Sequence, residues 1–226
     1  MKRARPVIAI DGPVGAGKST VARRLAETLG FQYVSTGAMY RAVAVAARAA
    51  GIDAADPAVE PKLDALLERS RIEFAAGRVT LDGRDLSAEI NSQEIGEAAS
   101  RLSTLGVVRA RLRDLQRAAG AAGGVVMEGR DIGTAVFPDA EYKFFLDASA
   151  EVRAERRWRE LARKGVAIAR EEVLAQLHER DRRDRGRELA PLRAARDAIA
   201  IDASRMSVAE VVALMMRHIN ARDGAA

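Results

Sequence analysis

The run VIAI at 7–10, closed by Asp11 and followed by GPVGAGKS at 12–19 and VARRLAETLG at 21–30, constrains this chain more than any other feature. A β-branched run that stops at a glycine-rich loop and passes into apolar residues at helical spacing reads as strand, loop and helix, with Gly30 as the helix stop. In that setting the pattern G-x-x-x-x-G-K-[ST] is a phosphate-binding loop. Its glycines let backbone N–H groups turn inward on phosphate oxygens, and the helix N-terminus adds partial positive charge. Gly12, Pro13, Val14, Gly15, Ala16, Gly17, Lys18, Ser19 and Thr20 are therefore the expected triphosphate site. Lys18 has the reach for the β and γ phosphates, Ser19 carries a hydroxyl for Mg²⁺, and Thr20 could share the metal role. Asp11 has two readings, an organiser of water or metal and an ordinary strand-ending turn residue.

FQYV at 31–34 reads as a second strand, STG as a turn, and MYRAVAVAARAAG at 39–51 as a helix closed by Gly51. This βαβα opening favours a parallel sheet. Residues 52–95 break the pattern: DPAVEP reads as a linker, KLDALLERS as a short helix, and IEFAAGRVTLDGRDLS alternates apolar and polar residues around AAG and DG turn signals, which predicts a small antiparallel insert. Helical spacing resumes through SRLSTLGVVRARLRDLQRAAG. GGVVME at 123–128 predicts a buried strand leading to GRDIGT, and KFFLDA at 143–148 another. An Arg-rich helix is expected from Ser149 to about Lys164, then a break at KGVA, a helix through REEVLAQLHERDRRDRGREL with its exit at Gly186 and Pro191, and a last strand at 198–203. Ser207 and Glu210 form a capping box that opens the final helix. The expectation is an α/β fold of five parallel strands with helices on both faces and one insertion.

A length of 226 residues suits one domain plus an insertion. No apolar run approaches the ~20 residues needed to cross a bilayer, and the opening MKRARPVIAIDG reads as a first strand rather than a signal peptide because its apolar stretch is short. The absence of cysteine excludes disulfides and thiolate metal sites and fits a reducing compartment, so a cytoplasmic location is expected. Of 37 basic residues only five are lysine (Lys2, Lys18, Lys62, Lys143 and Lys164). That bias fits solvated helix faces and codon composition, and equally guanidinium forks on phosphates. A nucleic-acid surface is disfavoured, because aromatics for base stacking are 4% of residues and no unbroken basic tail occurs. The loop alone leaves GTPases, motor ATPases and small-molecule kinases open.

GPVGAGKST, STGAMYRA at 35–42, EGRDIGTAVFPDA at 128–140 and ERDRRDRGRELAPL at 179–192, in this order, resemble the bacterial cytidylate kinases along nearly the whole chain. The resemblance implies a P-loop NTPase fold: one kinase domain over 1–226, with a monophosphate-binding insert at about 60–100 and an Arg-rich helical lid at about 153–170. It implies phosphoryl transfer from ATP to CMP or dCMP with Mg²⁺, directly in line and without a covalent intermediate. The partners are then small nucleotides; a monomer that engages neither nucleic acid nor membrane is expected.

Cytosine offers N4 as donor and N3 and O2 as acceptors, and Ser100, Arg109 and Asp131 stand where the resembled family reads the base. Asp131 would accept from N4, whereas uracil would turn a carbonyl toward that carboxylate. Read without the resemblance, Ser100 is a helix N-cap and Arg109 a solvated helical arginine. The likeness also implies Arg41 and Arg130 as a clamp on the acceptor phosphate, Thr36 and Tyr40 beside the sugar and phosphate, Asp184 with Arg180 on the ribose, and Arg187 on phosphate. The plainer reading of RDRRDRGR is an exposed helix end of paired charges. Arg153 and Arg157, four apart on the Arg-rich helix, would face the ATP phosphates, and Lys18, Arg130 and Arg157 form the expected catalytic set. Ser35 and Thr36 depart from the acid-then-serine pair of many relatives, but a hydroxyl pair can still hold a phosphate or sugar. His178 and His218, on separate helices, suit no metal or nucleophile role. Trp158 is expected in lid packing, and Met215 and Met216 in the core.

Overall fold

Both neighbours of the first strand are parallel strands, which buries it along its whole length. The computed structural model describes residues 3–54, 56, 58–75 and 77–223. In it β1 (Val7–Asp11) leads through the glycine loop into α1 (Lys18–Leu29), and β2 (Gln32–Ser35) runs directly into α2 (Thr36–Ala49). The insert follows as α3 (Val59–Arg69), β3 (Ile72–Ala75), β4 (Arg78–Leu81), β5 (Arg84–Asp85) and α4 (Gln93–Leu102). The chain returns through α5 (Gly106–Gly120), β6 (Val125–Gly129) and a π-helical turn at Ile132–Val136 to β7 (Tyr142–Asp147). It ends with α6 (Ala150–Arg163), α7 (Arg170–Arg185), β8 (Ile199–Asp202) and α8 (Val208–Asp223).

The main sheet is parallel, in the order β2-β6-β1-β7-β8, and the insert carries a separate antiparallel sheet, β3-β4-β5. Alternation along the central strands splits the core between the two faces. Val7, Ala9, Val125 and Met127 pack with α2, α4, α5 and the insert, whereas Ile8, Ile10 and Val126 pack with α1 and α8. Met215 is fully buried in the second layer, with Met216 packed against it. The α6–α7 pair has a small core of its own from Ala154, Leu161, Val173 and Leu177, closed by Trp158, whose indole N–H donates to the Ile168 carbonyl at 3.0 Å. At the start of α8, Ser207 and Glu210 cap one another.

The sheet and the helices on both its faces match the expected fold. Four local expectations are corrected. The STG turn does not exist, because Thr36 begins α2 and its hydroxyl donates to the Glu128 carbonyl at 2.9 Å. The DPAVEP linker is half helix, since α3 starts at Val59 and takes Pro61 in its first turn, where no intrahelical N–H is needed. The long helical stretch at 100–120 breaks at residues 103–105, and the second piece restarts from Leu105 in extended geometry. Ser100 is an interior residue of α4, whose N-cap is Ser92. Pro57, from the expected linker, and Ala76, from the first expected hairpin turn, lie outside the described residues, as do Met1 and Lys2.

Candidate active site

The glycine loop holds its shape by contacts that a side chain would prevent. Gly12 has φ of 150°, and a Cβ there would lie 1.9 Å from the Leu146 carbonyl oxygen of β7. Gly17 opens α1 in the left-handed region, φ 97°. Lys18 curls back over the loop and donates from Nζ to the Pro13 carbonyl at 2.7 Å. Burial, with the nearby Arg130 cation, pulls its ammonium down to about 7.

Beneath the loop, β6 ends in a buried carboxylate that the sequence reading missed. One oxygen of Glu128 accepts from Ser19 at 2.9 Å, from Ser35 at 2.7 Å and from Tyr33 at 3.4 Å. The hydroxyl of Ser35, the position at which the resembled family often carries an acid, thus serves a carboxylate contributed by the neighbouring strand. An available signal was the acid that ends a buried strand just before GRDIGT. Ser19 and Glu128 present adjacent hard oxygens, the donor chemistry that fits Mg²⁺.

Asp11 resolves into an organiser of the turn. Its two carboxylate oxygens accept the Ile132 and Gly133 N–H groups at 2.8 and 2.7 Å, which fixes the π-helical turn that follows Asp131. Burial, only partly offset by those two bonds, pushes the Asp11 carboxyl up to about 7. Asp131 is buried and pairs with Arg109, which also donates to the Ser103 carbonyl at 3.1 Å. Burial outweighs Arg109 and raises the Asp131 carboxyl above the usual range.

Arginines crowd beside this pair. Arg130 donates from Nε to Asp184 at 3.0 Å, and Arg187 pairs with the other oxygen of the same carboxylate. Burial opposes the charge on Asp184, but Arg130, Arg187 and Arg180 prevail and hold its carboxyl below the usual range. The Nε of Arg180 is buried without a hydrogen-bond partner, and desolvation together with Arg130 lowers its guanidinium to about 9. Arg41 donates to the Ile90 carbonyl of the insert, and burial, with Arg157 nearby, lowers its guanidinium as well. Tyr40 stands among these groups, its phenol pushed up to about 12 by burial.

A cleft of about 950 Å³ connects the two ends. Val14 to Thr20, Thr36, Tyr40, Arg41, Ser100, Arg109, Arg130, Asp131, Arg157, Arg180, Asp184 and Arg187 all line it; Gly12, Pro13 and Arg153 do not. Arg153 corrects the expected pairing with Arg157. Its guanidinium is buried against the Ala148 and Val14 carbonyls at 2.9 and 3.2 Å and pairs with Asp181 at 2.7 Å, so it supports the loop from behind. Of its two neighbours on α6, Arg156 lines the cleft and ties the loop to the sheet by donating to the Ala16 and Ala203 carbonyls at 3.3 and 2.7 Å. Arg157 lines the cleft and pairs with Glu160 at 2.8 Å. The histidines are absent from its walls.

The cytidylate kinase family model matches residues 8–221. The cytidylate kinase of Geobacter sp. (strain M21) is 49% identical over 220 residues, covering 96% of this chain and 93% of that protein. That of Pelotomaculum thermopropionicum is 50% identical over 218 residues, covering 96% of each. Among solved structures, shikimate kinase from Bacteroides thetaiotaomicron has a TM-score of 0.50 at 10% identity, covering 95% of this chain and 98% of that one, a likeness of fold alone.

Proposed function

This chain belongs to the cytidylate kinase family, and from that premise we propose that it moves the γ-phosphoryl group of ATP onto the phosphate of CMP or dCMP, giving ADP with CDP or dCDP. The observation that carries the assignment of residues is the single cleft joining the loop and Lys18 to Arg41, Arg109, Arg130 and Asp131. Two anionic nucleotides held end to end need such a cleft, with cations where their phosphates meet.

In this reading the loop amides and Lys18 hold the β and γ phosphates of ATP. Arg41, Arg130 and Arg187 hold the acceptor phosphate, Asp184 and Arg180 the ribose, with Thr36 and Tyr40 beside them. Asp131 accepts from cytosine N4, and Arg109 and Ser100 donate to its ring acceptors. An acceptor-phosphate oxygen then forms a bond to the γ-phosphorus while the bond from that phosphorus to the β–γ bridging oxygen breaks, and ADP leaves. Lys18, Arg130 and Arg157 face the charge that spreads over the transferring group. Ser19 and Glu128 would hold Mg²⁺, which supplies charge neutralisation at the phosphates when bound. Burial of Lys18 and Asp131 supports a site in which water competes poorly for these contacts.

The insert at about 60–100 and the lid at about 153–170 act in this reading as the two walls that close on the nucleotides. Among the described residues no helix is long and apolar enough to cross a membrane. A cytoplasmic monomer without nucleic-acid partners completes the proposal.

ADP release with ATP and Mg²⁺ is the test, with CMP, dCMP, UMP or AMP added at equal concentration. Release that rises with CMP and dCMP and little with the others is expected. Release independent of any monophosphate, or stimulated by RNA, would reject the reading in favour of a nucleic-acid-dependent ATPase.

A further inference from the structure

Ser100 sits in the cleft wall with its hydroxyl already engaged from outside. Arg183 of α7 donates from Nη1 to the Ser100 oxygen at 3.1 Å, across from α4. Seven residues earlier on each helix, Gln93 donates to Gln176 at 3.2 Å. Seven residues are about two helical turns, so α4 and α7 run side by side in matched register and are linked by side chains at both points. The Arg183 side chain is one-third exposed, and Ser100 is buried. A guanidinium can only donate, so the hydroxyl oxygen it occupies is left with its hydrogen to give. That hydrogen is then available to the cleft, where cytosine presents acceptors at O2 and N3.

We propose that Arg183 is a positioning residue for base selection: it fixes the Ser100 hydroxyl as a donor and thereby ties the helix that carries Arg180 and Asp184 to the base end of the site. The inference rests on the reading of Ser100 as a base contact. It adds a specificity role for a residue that lies outside the cleft wall.

The test is a double-mutant cycle on the full chain, with KM for CMP, KM for ATP and the CMP-to-UMP preference as readouts. Arg183→Ala and Ser100→Ala are each expected to raise KM for CMP about tenfold, the size of a lost charged hydrogen bond. KM for ATP should stay within about twofold, and the double variant should be no worse than either single one, because both remove the same interaction. Arg183→Lys, which keeps a cationic donor, should recover most of the loss. If Ser100→Ala impairs CMP use while Arg183→Ala does not, or if the two losses multiply, the positioning role is overturned and the base assignment stands. A silent Ser100→Ala overturns both. A rise in both KM values together, with a lowered melting temperature, assigns Arg183 to general support of α7 and likewise overturns the proposal.

Discussion

Arg130, just past the end of β6, and Asp184, on α7, are joined at 3.0 Å in the cleft wall, with the Asp184 side chain 1% exposed. Arg187 shares that carboxylate, and Arg180 stands close by. Asp184→Ala would leave these cations facing each other without their shared anion. Removing one partner of a buried pair costs about 3 kcal/mol or more. The free protein should therefore melt roughly 5–10 °C lower, as scanning calorimetry would show. An unchanged melt would mean that solvent already screens the cluster.

Lys18 gives a pH signature. Its ammonium is lowered from an ordinary 10.5 to about 7 in the free protein, so above pH 7 the folded chain holds it largely neutral. The unfolded chain binds more protons than the folded one in that window, and the contribution of Lys18 to stability rises with pH there. Asp11, raised from 3.8 to about 7, binds more protons when folded and has the opposite slope below pH 7. Anionic phosphates restore the ammonium, so ATP binding at pH 8 should take up close to one proton. Calorimetry in buffers of different ionisation heat measures this uptake. Lys18→Met should abolish it, and Lys18→Ala should lower kcat by roughly a thousandfold with CMP binding retained.

Asp131→Ala should relax base choice. In the proposed reading this carboxylate accepts from N4 and opposes the uracil carbonyl, so without it the CMP-to-UMP ratio of kcat/KM should fall by at least about tenfold. A ratio unchanged from that of the parent protein would remove Asp131 from the base site.

Glu128→Gln keeps the shape of the hub but removes its charge. The Mg²⁺ concentration for half-maximal rate should rise about tenfold or more, the usual effect of altering a residue that supports a metal site. Titration with Mn²⁺ followed by electron paramagnetic resonance should show the same weakening in the nucleotide complex. An unaltered metal titration would leave Glu128 as a brace for Ser19, Ser35 and Tyr33.

Gly12→Ala should damage the fold before the chemistry. The added methyl would meet the Leu146 carbonyl in a backbone conformation that L side chains rarely adopt. A loss on the order of 2–4 kcal/mol is expected from overpacking and strain together, measurable by urea denaturation.

Much of this arrangement could be read from residue order. The phosphate loop announced itself because glycines, lysine and serine sit at fixed spacing between a strand and a helix. Arg41, Arg130 and Asp131 required the four-block resemblance, since no local pattern brings residue 41 near residue 130. Asp11 and Glu128 escaped a chemical assignment because each acts through parallel neighbours: Asp11 on backbone N–H groups beyond β6, Glu128 on hydroxyls from α1 and β2. Arg153 misled for a related reason. A spacing of four puts two arginines on one helical face, but not every part of that face opens on the cleft, and Asp181 holds the first of them beneath the loop. The break after Leu102 was hidden by residues that continue the apolar period through a turn.

The central place of β1 has a consequence for biosynthesis. Its apolar run is synthesised well before both strands that flank it, which lie at Val125 and beyond. Until those arrive, the nascent chain carries an unpaired sticky edge, and assembly of the main sheet must wait for a long-range closure that is slow by its nature. The phosphate cradle that follows β1 is therefore made before the strands that complete it and finished late in folding.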